Sequence, residues 1–231
     1  MSEQEAPEHQ IVLFVKAGSD RECIGCCPFS QGLFMMLWLK GSVFNVTTVD
    51  KDSKPKELAD IAPGTSTPFI LFNNEVVTDP PKIVEFLEAQ LQPPKYPNLM
   101  PVNPESMLAG FEIFAKFSAW IKAKFDSPNY ETLEKRFLTH LAKFDAFLKM
   151  NSDRRFIDGN TMTAVDCNIL PKLHIAIVVA KALRQLDICQ QYTGIAQYMA
   201  NAAQHAEFSQ TCAQNDEIIW SYGGPKPKLK N

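Results

Sequence analysis

The spacing of hydrophobic residues changes character along the chain. From Gln10 to Val15 the run Gln-Ile-Val-Leu-Phe-Val is continuously apolar after its first residue, which predicts a short buried strand. Pro28 to Lys40 predicts a helix, with proline suited to the first helical position and Gly41 to the position just past the end. Val43 to Val49 is rich in β-branched residues and predicts a second strand. Pro68 to Phe72 predicts a third strand, Asn73-Asn74 a turn, and Glu75 to Val77 a short strand paired with it. A helix from about Pro80 to Gln90 follows. Beyond residue 104 the period is helical. Ser106 to Phe125 reads as an aromatic-rich helix, and Leu133, Phe137, Leu141, Phe144 and Leu148 mark the inner stripe of another from Asn129 to Met150. Thr163-Ala-Val-Asp166 is a capping-box variant that opens a helix reaching about Gln185. That helix is apolar nearly all round, so it belongs at the centre of a bundle, and Pro171 should bend it. Two or three short helices should follow, then a basic tail, Pro225 to Asn231, expected not to order.

Strand, helix and strand within about forty residues make a βαβ unit with a parallel pair. The order βαβ then ββα is that of thioredoxin-like domains. Five prolines, Pro93, Pro94, Pro97, Pro101 and Pro104, separate this part from the helical one and predict an extended connector. The expected division is a thioredoxin-like domain at 1–92 with a short disordered N-terminus, a linker at 93–104, and an all-helical domain at 105–231. Residues 1–92 hold 7 Lys/Arg and 13 Asp/Glu, residues 93–231 hold 16 and 13, and these opposite signs suit two domains that dock.

The 231 residues are 45% hydrophobic and 21% charged, the mixture of a globular chain that buries a core without disulfide or metal staples. A net charge of −3 gives no basic field for nucleic acid. Met1 to Gln10 is acidic and polar, unlike a signal peptide, so a reducing cytoplasm is expected, where clustered thiols are more often catalytic, redox-sensing or metal-binding than structural. Three of the six cysteines, Cys23, Cys26 and Cys27, lie within five residues. Without further ligands at suitable spacing no metal is expected. Cys167, Cys189 and Cys212 fall in segments read as helical and are expected to pack, and His9, His140, His174 and His205 show no evident partner.

Cys27 falls between the first strand and the helix at Pro28 and should cap that helix. There the helix dipole and free amides favour an anion, which makes a thiol a nucleophile. Ser30 stands where a two-thiol site has its second cysteine, so Cys27-Pro-Phe-Ser30 reads as a monothiol working through a mixed disulfide, most simply with glutathione. Cys23 or Cys26 could act as a resolving thiol. Pro68, after Thr67, is expected in the cis form beside the thiol. The apolar run Gly32 to Leu39 is interrupted by Lys40, far short of the roughly twenty residues of a membrane span.

Phe14-Val-Lys-Ala-Gly-Ser-Asp20, Cys27-Pro-Phe-Ser-Gln31, Leu37-Trp-Leu-Lys-Gly41 and Phe44-Asn-Val-Thr-Thr-Val-Asp50 closely resemble the chloride intracellular channel family. So do Asn103-Pro-Glu-Ser106, Phe114 to Ala119, Phe156-Ile-Asp-Gly159 and Leu170-Pro-Lys-Leu-His174. The resemblance implies a glutathione-transferase-like fold, with glutathione held by Phe29, Thr67, Pro68 and Asp79 beside Cys27. It also implies glutaredoxin-like oxidoreductase activity, and a soluble, monomeric protein that associates reversibly with membrane lipid and is implicated in chloride transport, residues 27–49 being the proposed span. The alternatives are a membrane-inserting anion channel or channel regulator, or a scaffold with a vestigial thiol site. This chain departs from the family pattern at several places, three of which bear on the site and the proposed span. Gly32 stands where the family has a basic residue. Pro80 follows Asp79 where transferase-like sites have a hydroxyl. Ala62 matches the cysteine of a redox dimer.

Overall fold

The structure is a computed structural model and describes residues 9–50 and 66–227. The expected disordered N-terminus, Ala62 and the last four residues of the basic tail lie outside them. Four strands, β1 (Ile11–Lys16), β2 (Asn45–Val49), β3 (Phe69–Phe72) and β4 (Glu75–Thr78), form one sheet in the order β2-β1-β3-β4. β1 and β2 are parallel, with Leu13 opposite Val46, and β3 and β4 are antiparallel. The parallel pair needs a crossover, and helix α1 (Pro28–Leu39) supplies it. Asn73 and Asn74 both adopt positive φ, +47° and +70°, which closes the β3–β4 hairpin as two consecutive left-handed residues. Helix α2 (Pro80–Gln90) packs on the sheet through Ile83 and Leu87, both fully buried.

The rest is helical: a 3₁₀ turn at Pro104–Met107, then α3 (Ile113–Ile121), α4 (Tyr130–Met150), α5 (Ala164–Arg184), α6 (Ile188–Gln191), α7 (Thr193–Ala203), α8 (Ala206–Ser209) and α9 (Asn215–Ser221). Thioredoxin-like sheet and helical bundle thus follow the expected fold class, with three corrections. The segment 106–125 is not one helix. Gly110 takes φ +73°, and a Cβ there would sit 3.2 Å from the Phe144 ring, so the chain turns and the helix starts only at Ile113. Four helical segments follow α5 rather than two or three, and Cys212 lies after α8, outside a helix. The proline-rich segment is also more than an extended connector: residues 93–95 form a turn, and Tyr96 and Leu99 are buried.

Helix α1 is packed on both sides, because Leu33, Met35, Met36 and Leu37 are all buried. On its bundle side it meets α5 at Gly32. A Cβ on Gly32 would stand 2.6 Å from the backbone oxygen of Cys167. That carbonyl is the one whose helical donor Pro171 removes. The Gln31 side chain is buried and donates to Thr211 Oγ1 at 3.3 Å and Cys212 Sγ at 3.2 Å. At the other end of α1 the Lys40 ammonium is fully buried. It pairs with Glu88 at 2.9 Å and donates to the carbonyls of Leu91 (2.9 Å) and Pro97 (2.7 Å).

The α5 capping box forms as read. Asp166 accepts from Thr163 N at 2.8 Å and Thr163 Oγ1 at 2.9 Å, and its second oxygen accepts from Ile157 N (3.1 Å) and Tyr198 Oη (2.8 Å). No helix among the described residues is long and apolar enough to cross a membrane.

Candidate functional site

The loop after β1 folds back on the strand that produces it. Gly25 N donates to Lys16 O at 2.8 Å, Gly18 N to Cys23 O at 2.8 Å, and Ala17 bridges Ile24. Only glycine fits at position 25, since a Cβ there would lie 2.3 Å from Ala17 O. This fold-back sets Cys26 and Cys27 beside the end of β1 and starts α1 in register with the sheet. Cys27 is the N-cap in extended backbone (φ −149°, ψ 109°), with Pro28 in the first helical position. Its half-buried Sγ accepts from the Ser30 amide at 3.5 Å. A sulfur so placed faces the unbonded amides of the first turn.

The three clustered cysteines are free thiols in different surroundings. Cys23 is exposed, and the Asp20 carboxylate, which also accepts from its backbone N–H at 2.9 Å, holds its thiol above the ordinary range. Cys26 is largely buried, and that burial pushes it up to about 11 against the pull of Lys16 and Ser221. Cys26 is therefore a neutral thiol at physiological pH. Its alkylation by iodoacetamide is expected to accelerate about tenfold per pH unit from 7 to 10, because only the thiolate reacts. Peptide mapping of the adduct across that range checks this, and a Cys26 rate that plateaus below pH 9 would contradict the burial argument.

The peptide bond between Thr67 and Pro68 is cis, as expected, at the start of β3. Asp79 is the exposed N-cap of α2 with φ +72°. Its carboxylate caps nothing, while its carbonyl accepts from Ile83 N at 2.9 Å. Phe29 is 43% exposed, and Lys172 of α5 places its ammonium 5.1 Å from the ring centroid. Cys27 and Phe29 thus lie at one helix end, and Thr67, Pro68 and Asp79 follow at the start of β3 and the end of β4.

A cavity of about 580 Å³ opens against Cys26. Lys16, Cys26 and Pro28 line it from the sheet side, and Ile121, Lys122, Ser221 and Tyr222 from the bundle. The Tyr222 ring packs 5.6 Å from that of Phe117. Burial above all pushes its phenol well above the usual tyrosine range, so it is a neutral hydroxyl. These bundle residues were not read from the sequence. Tyr222 follows α9 with no local pattern to mark it, and it is some two hundred residues from Cys26. The contacts of Gln31 with Thr211 and Cys212 escaped for the same reason. His140 also has a partner, Glu112 at 3.0 Å. Among the described residues no group of three or more His, Cys, Asp or Glu could hold a metal ion.

A mixed sheet with a cysteine-capped crossover helix, docked on a helical bundle, defines the glutathione-transferase-like class. Comparisons with known proteins agree. Residues 9–94 match the CLIC-like N-terminal domain, and residues 127–201 match the glutathione S-transferase C-terminal domain. The chain belongs to the CLIC and glutathione-transferase-like superfamily. Among solved structures it is similar to the CLIC homologue EXC-4 of C. elegans, with 22% identity and TM-score 0.80 over 94% of this chain and 86% of that one. It is equally similar to the dehydroascorbate reductase of Chlamydomonas reinhardtii, with 22% identity and TM-score 0.80 over 92% and 96%. Rice GST1, solved in complex with glutathione, follows at 15% identity and TM-score 0.72 over 94% and 96%. At these identities the likeness establishes the fold.

Proposed function

We propose that the chain is a glutathione-dependent thiol–disulfide oxidoreductase working by a monothiol mechanism at Cys27. The observation that carries this reading is the Cys27 sulfur at the N-terminus of α1, accepting from the Ser30 amide. In the first step the Cys27 thiolate attacks the glutathione sulfur of a glutathionylated substrate. The mixed S–S bond breaks, the substrate sulfur leaves as a thiolate and takes a proton from solvent, and Cys27 carries glutathione. A second glutathione thiolate then attacks that adduct, giving glutathione disulfide and restoring Cys27. Ser30 at the position of a second helix thiol leaves the adduct to be resolved from outside, or by Cys23 or Cys26. Asp79, with its uncapped carboxylate, and Thr67 and Pro68 are the residues that would hold glutathione. Likeness to a dehydroascorbate reductase and to a transferase solved with glutathione supports the class of chemistry. Cys27→Ser is expected to lower turnover of a glutathionylated peptide at least 100-fold while leaving the far-ultraviolet spectrum unchanged. Turnover within twofold of the parent would remove Cys27 from the mechanism.

A second reading, membrane association from a cytoplasmic pool with a role in chloride transport, has its own observation. Val102, Leu108 and Phe111 are 86%, 78% and 65% exposed on one stretch of chain before α3, an apolar surface of the kind that meets lipid or protein. Flotation with anionic vesicles tests it. Substituting Leu108 and Phe111 by serine should abolish any lipid-bound fraction, and no flotation of the parent in reducing, oxidising or mildly acidic buffer would remove this reading.

A further inference from the structure

We infer that the hollow between the 108–112 turn and helix α4 is a docking groove for an acidic segment of a partner protein, with Phe111, Arg136 and Lys143 as its recognition residues. The inference is independent of the thiol chemistry and competes with lipid for the same exposed stretch of chain. The chain turns at Gly110 before α3 begins, and between that turn and α4 lies a cavity of about 210 Å³. Its floor is aromatic, with Phe144 buried and Phe147 half-buried. Leu108 and Phe111 also line it, and both are largely exposed. Exposed apolar side chains around a hollow with an aromatic floor make a seat for a large side chain, as in grooves that take peptides.

Charge selects the occupant. At helical spacing Arg136, His140, Lys143 and Phe147 form one stripe along α4, and the last three line the cavity. The acidic residues of that helix, Glu131, Glu134 and Asp145, lie about 120° or more round it from His140. Asp145 is also buried and accepts from Ile195 N at 3.0 Å. The lining holds one carboxylate, Glu112, and two partners already share it, Lys116 at 3.0 Å and His140 at 3.0 Å. Arg136 and Lys143 are exposed, and among the described residues neither has a carboxylate within ion-pair distance. An apolar hollow beside two uncompensated cations is complementary to a segment that carries a large apolar side chain between Asp or Glu residues. A bilayer surface is the poorer match, because a headgroup layer offers nothing to fill the space over Phe144 and Phe147.

The test measures fluorescence anisotropy of three labelled peptides with the full-length protein. All share a central Leu-Ser-Ser-Phe core. The flanks are aspartate and glutamate in the first, serine and glutamine in the second, and lysine in the third. The acidic peptide is expected to bind about tenfold more tightly than the neutral one at low ionic strength, with the basic one weakest and the gap narrowing as salt is added. Arg136→Glu and Lys143→Glu should each weaken the acidic peptide about fivefold and strengthen the basic one. Phe111→Ser should weaken the acidic and neutral peptides alike. The comparison of peptides on the parent protein stands even if a variant folds poorly. Equal affinities for the three peptides, no saturable binding at millimolar protein, or binding unmoved by all three substitutions would overturn the assignment. Flotation of the parent with anionic vesicles that excess acidic peptide does not displace would give the surface to lipid instead. A dimer seen by light scattering that Phe111→Ser dissolves and the acidic peptide does not would give it to a second copy of the chain, and either result overturns the proposal.

Discussion

Asp166→Ala is expected to destabilise the protein by about 3–5 kcal/mol, a large fraction of the stability of an ordinary domain. The carboxylate is buried and accepts four hydrogen bonds, from Thr163 N, Thr163 Oγ1, Ile157 N and Tyr198 Oη. Truncation leaves two backbone amides and a fully buried phenol without an acceptor, at roughly 1–3 kcal/mol for each group that finds no water. An asparagine side chain would not repair the loss. Thr163 N and Ile157 N lie on opposite oxygens, so whichever way the amide turns, its NH₂ faces one backbone N–H. Asp166→Asn should therefore recover less than half of the stability lost in alanine. Urea denaturation followed by circular dichroism measures both, and a drop of roughly 6–20 °C in melting temperature should accompany the alanine change. A loss below about 1 kcal/mol in both variants would mean that the box is not holding the start of α5.

Gly32→Ala is the second large effect, and its sign is informative. Alanine in a helix interior is ordinarily worth about 1 kcal/mol over glycine. Here the added Cβ would stand 2.6 Å from Cys167 O, a backbone atom of α5 that cannot rotate away. Helix α1 would have to move off the bundle, so a net loss of about 1–3 kcal/mol is expected. An arginine, the kind of residue the family carries there, should cost more than alanine, and the Gln31 contacts to Thr211 and Cys212 should loosen with it. Thermal melts rank the parent, alanine and arginine proteins, and stabilisation by alanine would show that the approach of α1 to α5 is looser than its geometry.

What could be read from the sequence was what lies within a few residues. The strand runs, the Pro28-to-Gly41 helix and the Thr163–Asp166 box are all written by neighbours at spacings of two to four. The capped position of Cys27 is equally local, because a strand end, a cysteine and a proline are close together in the chain. The break at Gly110 was hidden because the aromatic residues around it keep a helical spacing, and the constraint comes from Phe144 on another helix. The bundle side of the cavity was hidden for a related reason. Ser221 and Tyr222 acquire their meaning only when α9 is laid against the loop before α1. Lys40 looked like the polar stop of an apolar run, yet it is as buried as the core residues beside it.

That buried ammonium sets an energetic threshold on any rearrangement of residues 27–49. Drawing α1 out of the fold takes Lys40 away from Glu88 and from the carbonyls of Leu91 and Pro97, and leaves a carboxylate and two acceptors in a protein interior. Breaking a buried pair in this way costs about 3–5 kcal/mol. Carrying the same charge to the centre of a bilayer adds about 2.5–3.5 kcal/mol more on insertion scales. Lys40 thus acts as a lock on the compact state, and neutralising both halves together, as in a Lys40→Met, Glu88→Leu pair, would lower the barrier to departure without leaving a stranded charge behind.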